Sequence, residues 1–242
     1  FGPQLVQNGD FSQEGSELVT NGDFSNGGTG WLKSGEADRS LGKIISTSGS
    51  LSSLTQVILT LGKRYKLQFE ITDNTNGSIK VGSQNGGLDI DASVNSLGIH
   101  TYIFTSLGTY ISFAREGGIT DITIDNVSVK EVGQNWNLGT GWSIGEDKAV
   151  CDGSDGVNMF QNGVIENLKK YKISFSILNY VSGFLNGRIG SANSNDFTVS
   201  SDGNYSFNII SDGTNLIFRS SSFNGSITDI SVIEIIGDKP RI

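Results

Sequence analysis

The chain offers little of the chemistry that turnover needs. His100 is its one histidine and Cys151 its one cysteine. His100 lies at the edge of the alternating run HTYIFTS, a place for a surface or hydrogen-bonded ring rather than a proton shuttle. Cys151 has no histidine close to it in sequence, so it reads as a small, semi-buried residue. Alone it closes no intrachain disulfide, and no metal-type cysteine cluster exists. Asp89 and Asp91 in GLDIDAS fall on one face if the segment is a strand, and paired carboxylates can hydrolyse glycosides. A solvated face or loop accounts for them more simply. There is no P-loop, no Rossmann glycine pattern after a strand and no HExxH. These residues predict that the chain is not an enzyme.

Recognition is a different matter, because it needs surfaces rather than reacting groups. Sugars are held by aromatic faces that stack on pyranose rings and by planar polar groups that pair with hydroxyls. Trp31 and Trp142 each follow GTG, which makes them equivalent and structural. Trp136 has no such counterpart and lies between Asn135 and Asn137, so exposure is expected. Tyr110, Tyr180, Phe184 and Phe223 are further unmatched aromatics near Gly/Ser/Asn loops. These five are the candidate ligand-binding residues. Local packing is the competing reading for each. Arg115 and Arg219 are candidate polar partners whose direction the sequence does not fix.

The elements that must position these residues come from repetition. LVQNGDFS (5–12) recurs as LVTNGDFS (18–25), and GTGW at 28–31 recurs at 139–142. Each GTGW is followed by the same order: LGKRYKLQFEI (61–71) or LKKYKISFSI (168–177), then ITIDNVSVKEV (122–132) or SITDISVIEI (226–235). A period of about a hundred residues means two domains rather than a short-repeat solenoid. YKLQFEI and YKISFSI alternate, with Tyr65, Leu67, Phe69 and Ile71 matching Tyr171, Ile173, Phe175 and Ile177 on one face, the mark of a half-buried strand. Val81 matches Ile189, Tyr102 matches Tyr205, Phe104 matches Phe207 and Phe113 matches Phe218. Many short strands between Gly/Asn/Ser turns predict an all-β protein of two tandem antiparallel β-sandwich, or jelly-roll, domains. The expected boundaries are an arm or partial repeat over 1–17, modules over 18–132 and 133–237, and the start of a linker at DKPRI (238–242). The arm is not expected to be a third domain, because LVQNGDFS lacks following strands to bury it.

The net charge is −8, spread over arm and modules as −3, −2 and −3, so no module carries a basic face in bulk and nucleic acid is not an expected partner. No apolar run reaches membrane-spanning length, and membrane insertion is not expected. Hydrophobic content of 36% is too high for a disordered chain. The missing initiator Met and the DKPRI ending read as a fragment of a longer protein.

LVTNGDFS…GTGW, the LGKRY stretch and the closing IDNVSV strand together resemble the calcium-bearing β-jelly-roll carbohydrate-binding modules found beside polysaccharide hydrolases. The stuttered NGDFS and the DKPRI ending look most like modules of bacteriophage tail-fibre or virion proteins. The resemblance spans nearly all of 18–235. It implies a non-catalytic glycan-binding pair, in a virion or extracellular, with a bacterial surface glycan or neighbouring virion subunits as partner, and a homo-oligomer within a fibre. Structural spacer domains of a virion, or an appendage of a secreted hydrolase, are the alternatives. It also implies one structural Ca2+ in the first module, held by Asp23 and Asp125. The family often has Glu where Ser25 stands. The second module carries Thr228 and Asp229 where the first has Asp125 and Asn126, so no calcium is expected there.

Overall fold

A computed structural model describes residues 1–190 and 196–237. No helix appears among the described residues, hence none long and apolar enough to cross a membrane. DKPRI, the expected linker, lies outside them. The chain divides into two compact units. One is Glu14–Val132; the other joins Phe1–Gln13 to the chain from Gly133 onward. Both are antiparallel β-sandwiches, as the alternating runs predict.

The Glu14–Val132 unit contains β1 (Glu14–Glu17), β2 (Leu32–Ser34), β3 (Lys43–Ser46), β4 (Ser53–Val57), β5 (Arg64–Asn76), β6 (Ile79–Gly82), β7 (Asp91–Val94), β8 (Gly98–Thr105), β9 (Tyr110–Arg115) and β10 (Thr120–Val132). One sheet runs β1-β10-β5-β8, with β3 also on β10; the other runs β2-β4-β9-β6-β7. Tyr65, Leu67, Phe69 and Ile71 leave one side of β5 and are buried, while Lys66, Gln68 and Glu70 leave the other. Phe69 of the first sheet meets Phe113 of the second edge-on, centroids 4.9 Å apart. That ring pair joins the layers at the centre of the core. The two ends of the unit meet, since Glu14 is the register partner of Val132.

The other unit contains β11 (Asn137–Leu138), β12 (Trp142–Gly145), β13 (Lys148–Asp152), β14 (Asn158–Gln161), β15 (Lys170–Ile189), β16 (Phe197–Val199), β17 (Gly203–Ile210) and β18 (Leu216–Glu234). β15 and β18 are long enough to serve both layers. The first part of β15 pairs with β17 and the end of β18; its last part pairs with β16 and the start of β18. Phe175 and Phe218 repeat the edge-on contact of Phe69 and Phe113, at 5.4 Å. One match shifts. Val81 lies opposite Phe113, but Gly187, not Ile189, lies opposite Phe218. A Cβ on Gly187 would come within 1.7 Å of the Phe197 ring, so an incoming aromatic fills the space a valine fills in the other unit. Phe207 is half-buried rather than core, stacked flat on Phe197 at 4.5 Å.

The stuttered motif explains the division. Each NGDF copy is a hook that closes one sandwich. In the Glu14–Val132 unit the Val127 amide donates to the Gly22 carbonyl; in the other unit the Ile230 amide donates to the Gly9 carbonyl, both at 2.9 Å. A Cβ on either glycine would fall 2.0 Å from the facing carbonyl oxygen, of Val127 or Ile230, so only glycine fits. The Gln56 amide exchanges hydrogen bonds with the Thr20 backbone, and Gln161 does the same with Gln7. Val19 and Phe24 enter one core, Val6 and Phe11 the other. The expected arm over 1–17 is therefore divided by the structure. Residues through Gln13 supply the first segment of the second module, and Glu14–Glu17 form the first strand of the first. The Glu14–Val132 module is inserted into a host module after its hook, through ends that already lie side by side.

This nesting predicts how fragments behave. Residues 14–132 alone should unfold in one cooperative transition. Residues 133–237 alone should lack the host core, and a peptide of residues 1–13 supplied in trans should restore it. Circular dichroism melts and proton NMR dispersion check both. Cooperative folding of 133–237 without the peptide would show that the hook is dispensable.

Candidate functional site

The five candidate aromatics do not converge. Tyr110 starts β9 of the inserted module, half-buried opposite Val57. The other four belong to the host. Phe223 is fully buried between Trp142 and Tyr180, with ring centroids 6.3 Å from each. Tyr180 is half-buried and spends its hydroxyl on the Gly183 carbonyl at 3.1 Å. Phe184 alone is open, 52% exposed.

Trp136 corrects the expectation of an exposed platform: it is 7% exposed. It also corrects the pairing of Trp31 with Trp142, because the structural partner of Trp31 is Trp136. The Trp31 indole donates to the Asn21 carbonyl at 3.0 Å and packs on Phe24 and Phe113. The Trp136 indole donates to the Asn8 carbonyl at 2.9 Å and packs on Phe11 and Phe218. Skipping the insertion, LVQNGDFSQ runs directly into GQNW, the counterpart of LVTNGDFSNGGTGW. Trp136 is thus the lid of the host hook.

The residues weighed for catalysis and set aside make local contacts in the fold. His100 stacks on Phe69 at 5.2 Å and holds the Ser96 carbonyl at 2.8 Å. Cys151 is buried. The Asp89 carboxylate receives the Ser83 amide, and that of Asp91 receives the Tyr102 hydroxyl and the Ser93 amide. Beside Asp91, burial and that carboxylate hold the Tyr102 phenol well above its usual range.

A polar row across β14, β18, β15 and β16, in one layer of the host, is the arrangement that sequence reading missed. Asn158 of β14, Arg219 of β18, Asn186 of β15 and Thr198 of β16 are successive register partners. Their neighbours Met159, Phe218 and Leu185 are buried in the core, so alternation turns the row to the opposite face. Asn186 is satisfied, donating to Ser221 at 2.9 Å and accepting from Thr198 at 2.8 Å. Asn158 and Arg219 are not. Asn158 Oδ1 and Arg219 Nε are buried atoms without a hydrogen-bond partner. Two residues along β14, on the same face, stands half-buried Phe160; two residues along β15 from Asn186 stands exposed Phe184. At about 3.3 Å per residue, the rings flank the row by roughly 6–7 Å along the strands. The inserted module has Ser53, Ala114 and Lys80 at the corresponding register positions, and its own loop lies on that sheet, with the Gly86 amide on Ser112 Oγ. Arg219 was visible in the sequence as a polar candidate. Its register with Asn158 is a long-range fact that no local pattern carries.

The carboxylates expected for calcium are engaged locally. Asp23 is at the surface, and its Oδ1 receives both the amide and the hydroxyl of Ser25, which hold the pKa of its carboxyl below the usual carboxylate range. Asp125 Oδ1 receives the Asn126 amide. In the host, Asp10 is the counterpart of Asp23, while Thr228 stands at the Asp125 position; Asp10 and Asp229, the counterpart of Asn126, line a surface pocket of about 330 Å³ with Gln4, Asn8 and Ser231. Among the described residues no three His, Cys, Asp or Glu side chains gather as a metal site. Calcium takes about six to eight oxygens, more than Asp23 and Asp125 provide.

No family model and no curated protein matches the chain. Among solved structures it is similar to the N-terminal CBM22-1–CBM22-2 tandem domain of Paenibacillus barcinonensis Xyn10C, at 11% identity over 93% of this chain and 99% of that one, with a TM-score of 0.34. It is also similar to an anti-sigma factor domain-containing protein, at 11% identity over 81% and 83%, with a TM-score of 0.21. Likeness this distant does not bear on what the chain binds.

The hook lids carry a stability prediction. Trp136→Ala should cost about 3–5 kcal/mol, the range for a large aromatic removed from a core, and Trp31→Ala should cost a similar amount in its own module. Denaturant titration checks this; a loss under about 1 kcal/mol at Trp136 would mean that the ring is not a core residue.

Proposed function

We propose that the chain is a non-catalytic glycan-binding protein whose host module holds a saccharide along Asn158, Arg219, Asn186 and Thr198, between Phe160 and Phe184. One observation carries the reading. A buried acceptor and a buried donor, side by side on an outward sheet face, lack the partners that buried polar groups ordinarily have. A ligand hydroxyl reaches the pair once the half-buried Asn158 and Arg219 side chains turn outward, donating to Asn158 Oδ1 and accepting from Arg219 Nε. The apolar face of a sugar ring lies against exposed Phe184. The setting we infer is a virion or tail fibre acting on a bacterial surface glycan, a reading supported by the stuttered NGDFS resemblance. Many weak sites on one particle gain avidity through effective concentration.

A spacer role contacting neighbouring virion subunits is favoured by a separate feature. Leu178, Val181 and Phe184, within one stretch of β15, expose 43%, 69% and 52% of their surfaces. That apolar run suits a protein neighbour better than a hydroxylated ligand.

The two readings diverge under mutation. On a glycan array probed with the multimerised chain, Arg219→Ala and Phe184→Ala should each weaken binding at least tenfold, about 1.4 kcal/mol, at an unchanged melting temperature. Leu178→Ser and Val181→Ser should leave glycan binding intact. If no glycan binds and the serine variants abolish self-association or subunit assembly, the spacer reading replaces the first.

Calcium at Asp23 and Asp125 is a further part of the proposal, and it needs backbone carbonyls to complete the ligand set. Binding to the folded state alone raises stability by mass action. Calcium should then raise the melting temperature of fragment 14–132, with no rise in Asp125→Ala. An equal rise in both, or none in either, removes the site.

A further inference from the structure

We infer, building on the glycan-binding reading, that the host row selects a sugar acid: a ring carrying a carboxylate next to a free hydroxyl. The warrant is the charge at the centre of the row. Arg219 is half-buried; among the described residues no ion pair holds it, and its enclosed Nε has no hydrogen-bond partner. Its cross-strand neighbours are two neutral amides, Asn158 and Asn186. The nearby acid Asp155 holds the Ser222 amide through Oδ1 instead. A partly desolvated guanidinium without a counter-charge is costly, and a carboxylate is its natural complement because the planar fork donates two parallel hydrogen bonds. Gly156 lies beside the guanidinium, and a Cβ there would touch Arg219 Nη2 at 3.6 Å.

Asn158 narrows the class further. Its free Oδ1 repels a carboxylate and needs a donor, so a simple carboxylate satisfies half of the pair. A neutral sugar satisfies both hydrogen bonds and leaves the charge unmatched. A uronic acid presents both groups at once, the carboxylate on one ring carbon and a hydroxyl on the next. The ligand is not a dense polyanion, because the chain's net charge of −8 repels one at long range. The sugar-acid selectivity is local to this row. The inserted module, with Ala114 at the Arg219 position, lacks it.

The test titrates the whole chain by NMR or calorimetry with three probes on one scaffold: cellobiouronic acid, with glucuronic acid at the non-reducing end, its methyl ester, and cellobiose. The galacturonyl analogue and its ester form a second set. The acid should bind at least tenfold more tightly than its ester. Arg219→Gln should abolish that preference, and Asn158→Ala should weaken acid and ester alike. Arg219→Lys, which keeps the charge without the fork, should retain part of the preference, and it serves as the reading if Arg219→Gln fails to fold. Equal affinity for acid and ester would overturn the sugar-acid inference and leave glycan binding standing. Absence of binding to acids, esters and a neutral glycan array alike would overturn both.

Discussion

Everything in this protein depends on one short backbone exchange, made twice. In each module the last long strand breaks step at a residue in the left-handed region, Asn126 with φ 52° in one and Asp229 with φ 54° in the other. The break frees the following amide, of Val127 or Ile230, to bond the glycine carbonyl of an NGDF hook. That bond brings the N-terminal segment under the sheet, where Phe24 or Phe11 takes a tryptophan as its lid. Without the hook, a buried amide would go unpaired and an aromatic pocket would stand open. The cost of a buried unpaired group is what makes the hook obligatory.

Because the hook is obligatory, chain order becomes free. A module needs its hook in place, but nothing requires the hook to be contiguous with the strands it closes. Here the host's hook is followed directly by a complete second module, and the chain returns to the host only after Val132. The inserted module permits this because its own ends are register partners, Glu14 against Val132. Lys130 of neighbouring β10 and Lys66 of β5 beyond it hold the Glu14 carboxylate below its ordinary range, fixing the entry point. Domain insertion is tolerated where termini lie close together at a surface.

The sheets were legible in the sequence because alternation is a local signal. Tyr65, Phe69, Tyr171 and Phe175 announce their buried face within a window of seven residues. The hooks were legible as motifs but not as connections. LVQNGDFS has no strands after it to bury it, so on sequence alone it reads as an arm, and the strands it completes begin more than a hundred residues later. The same distance hid the role of Trp136. Its neighbours are polar and it has no GTG before it, and only the closure of the hook brings it beside Phe11. Reading equivalence from GTGW matched Trp142 to Trp31 by local likeness, where packing matches Trp136 instead.

The polar row shows the opposite asymmetry between sequence and structure. Duplication preserved what closes each sandwich and left the outward faces free to diverge. Apolar agreement between the modules records the shared core, and function has to be sought where the copies differ. At one register position the inserted module has Ser53, Ala114 and Lys80, and the host has Asn158, Arg219 and Asn186. Replacing alanine by arginine on a sheet face adds a charge that the fold itself does not pair. An unpaired Nε alone does not set the host apart, because Arg115 of the inserted module has one too; the charge at a position where that module has Ala114 does. On the proposed glycan-binding reading a ligand supplies the missing partner, and the difference between two otherwise parallel modules marks the host as the one that recognises it.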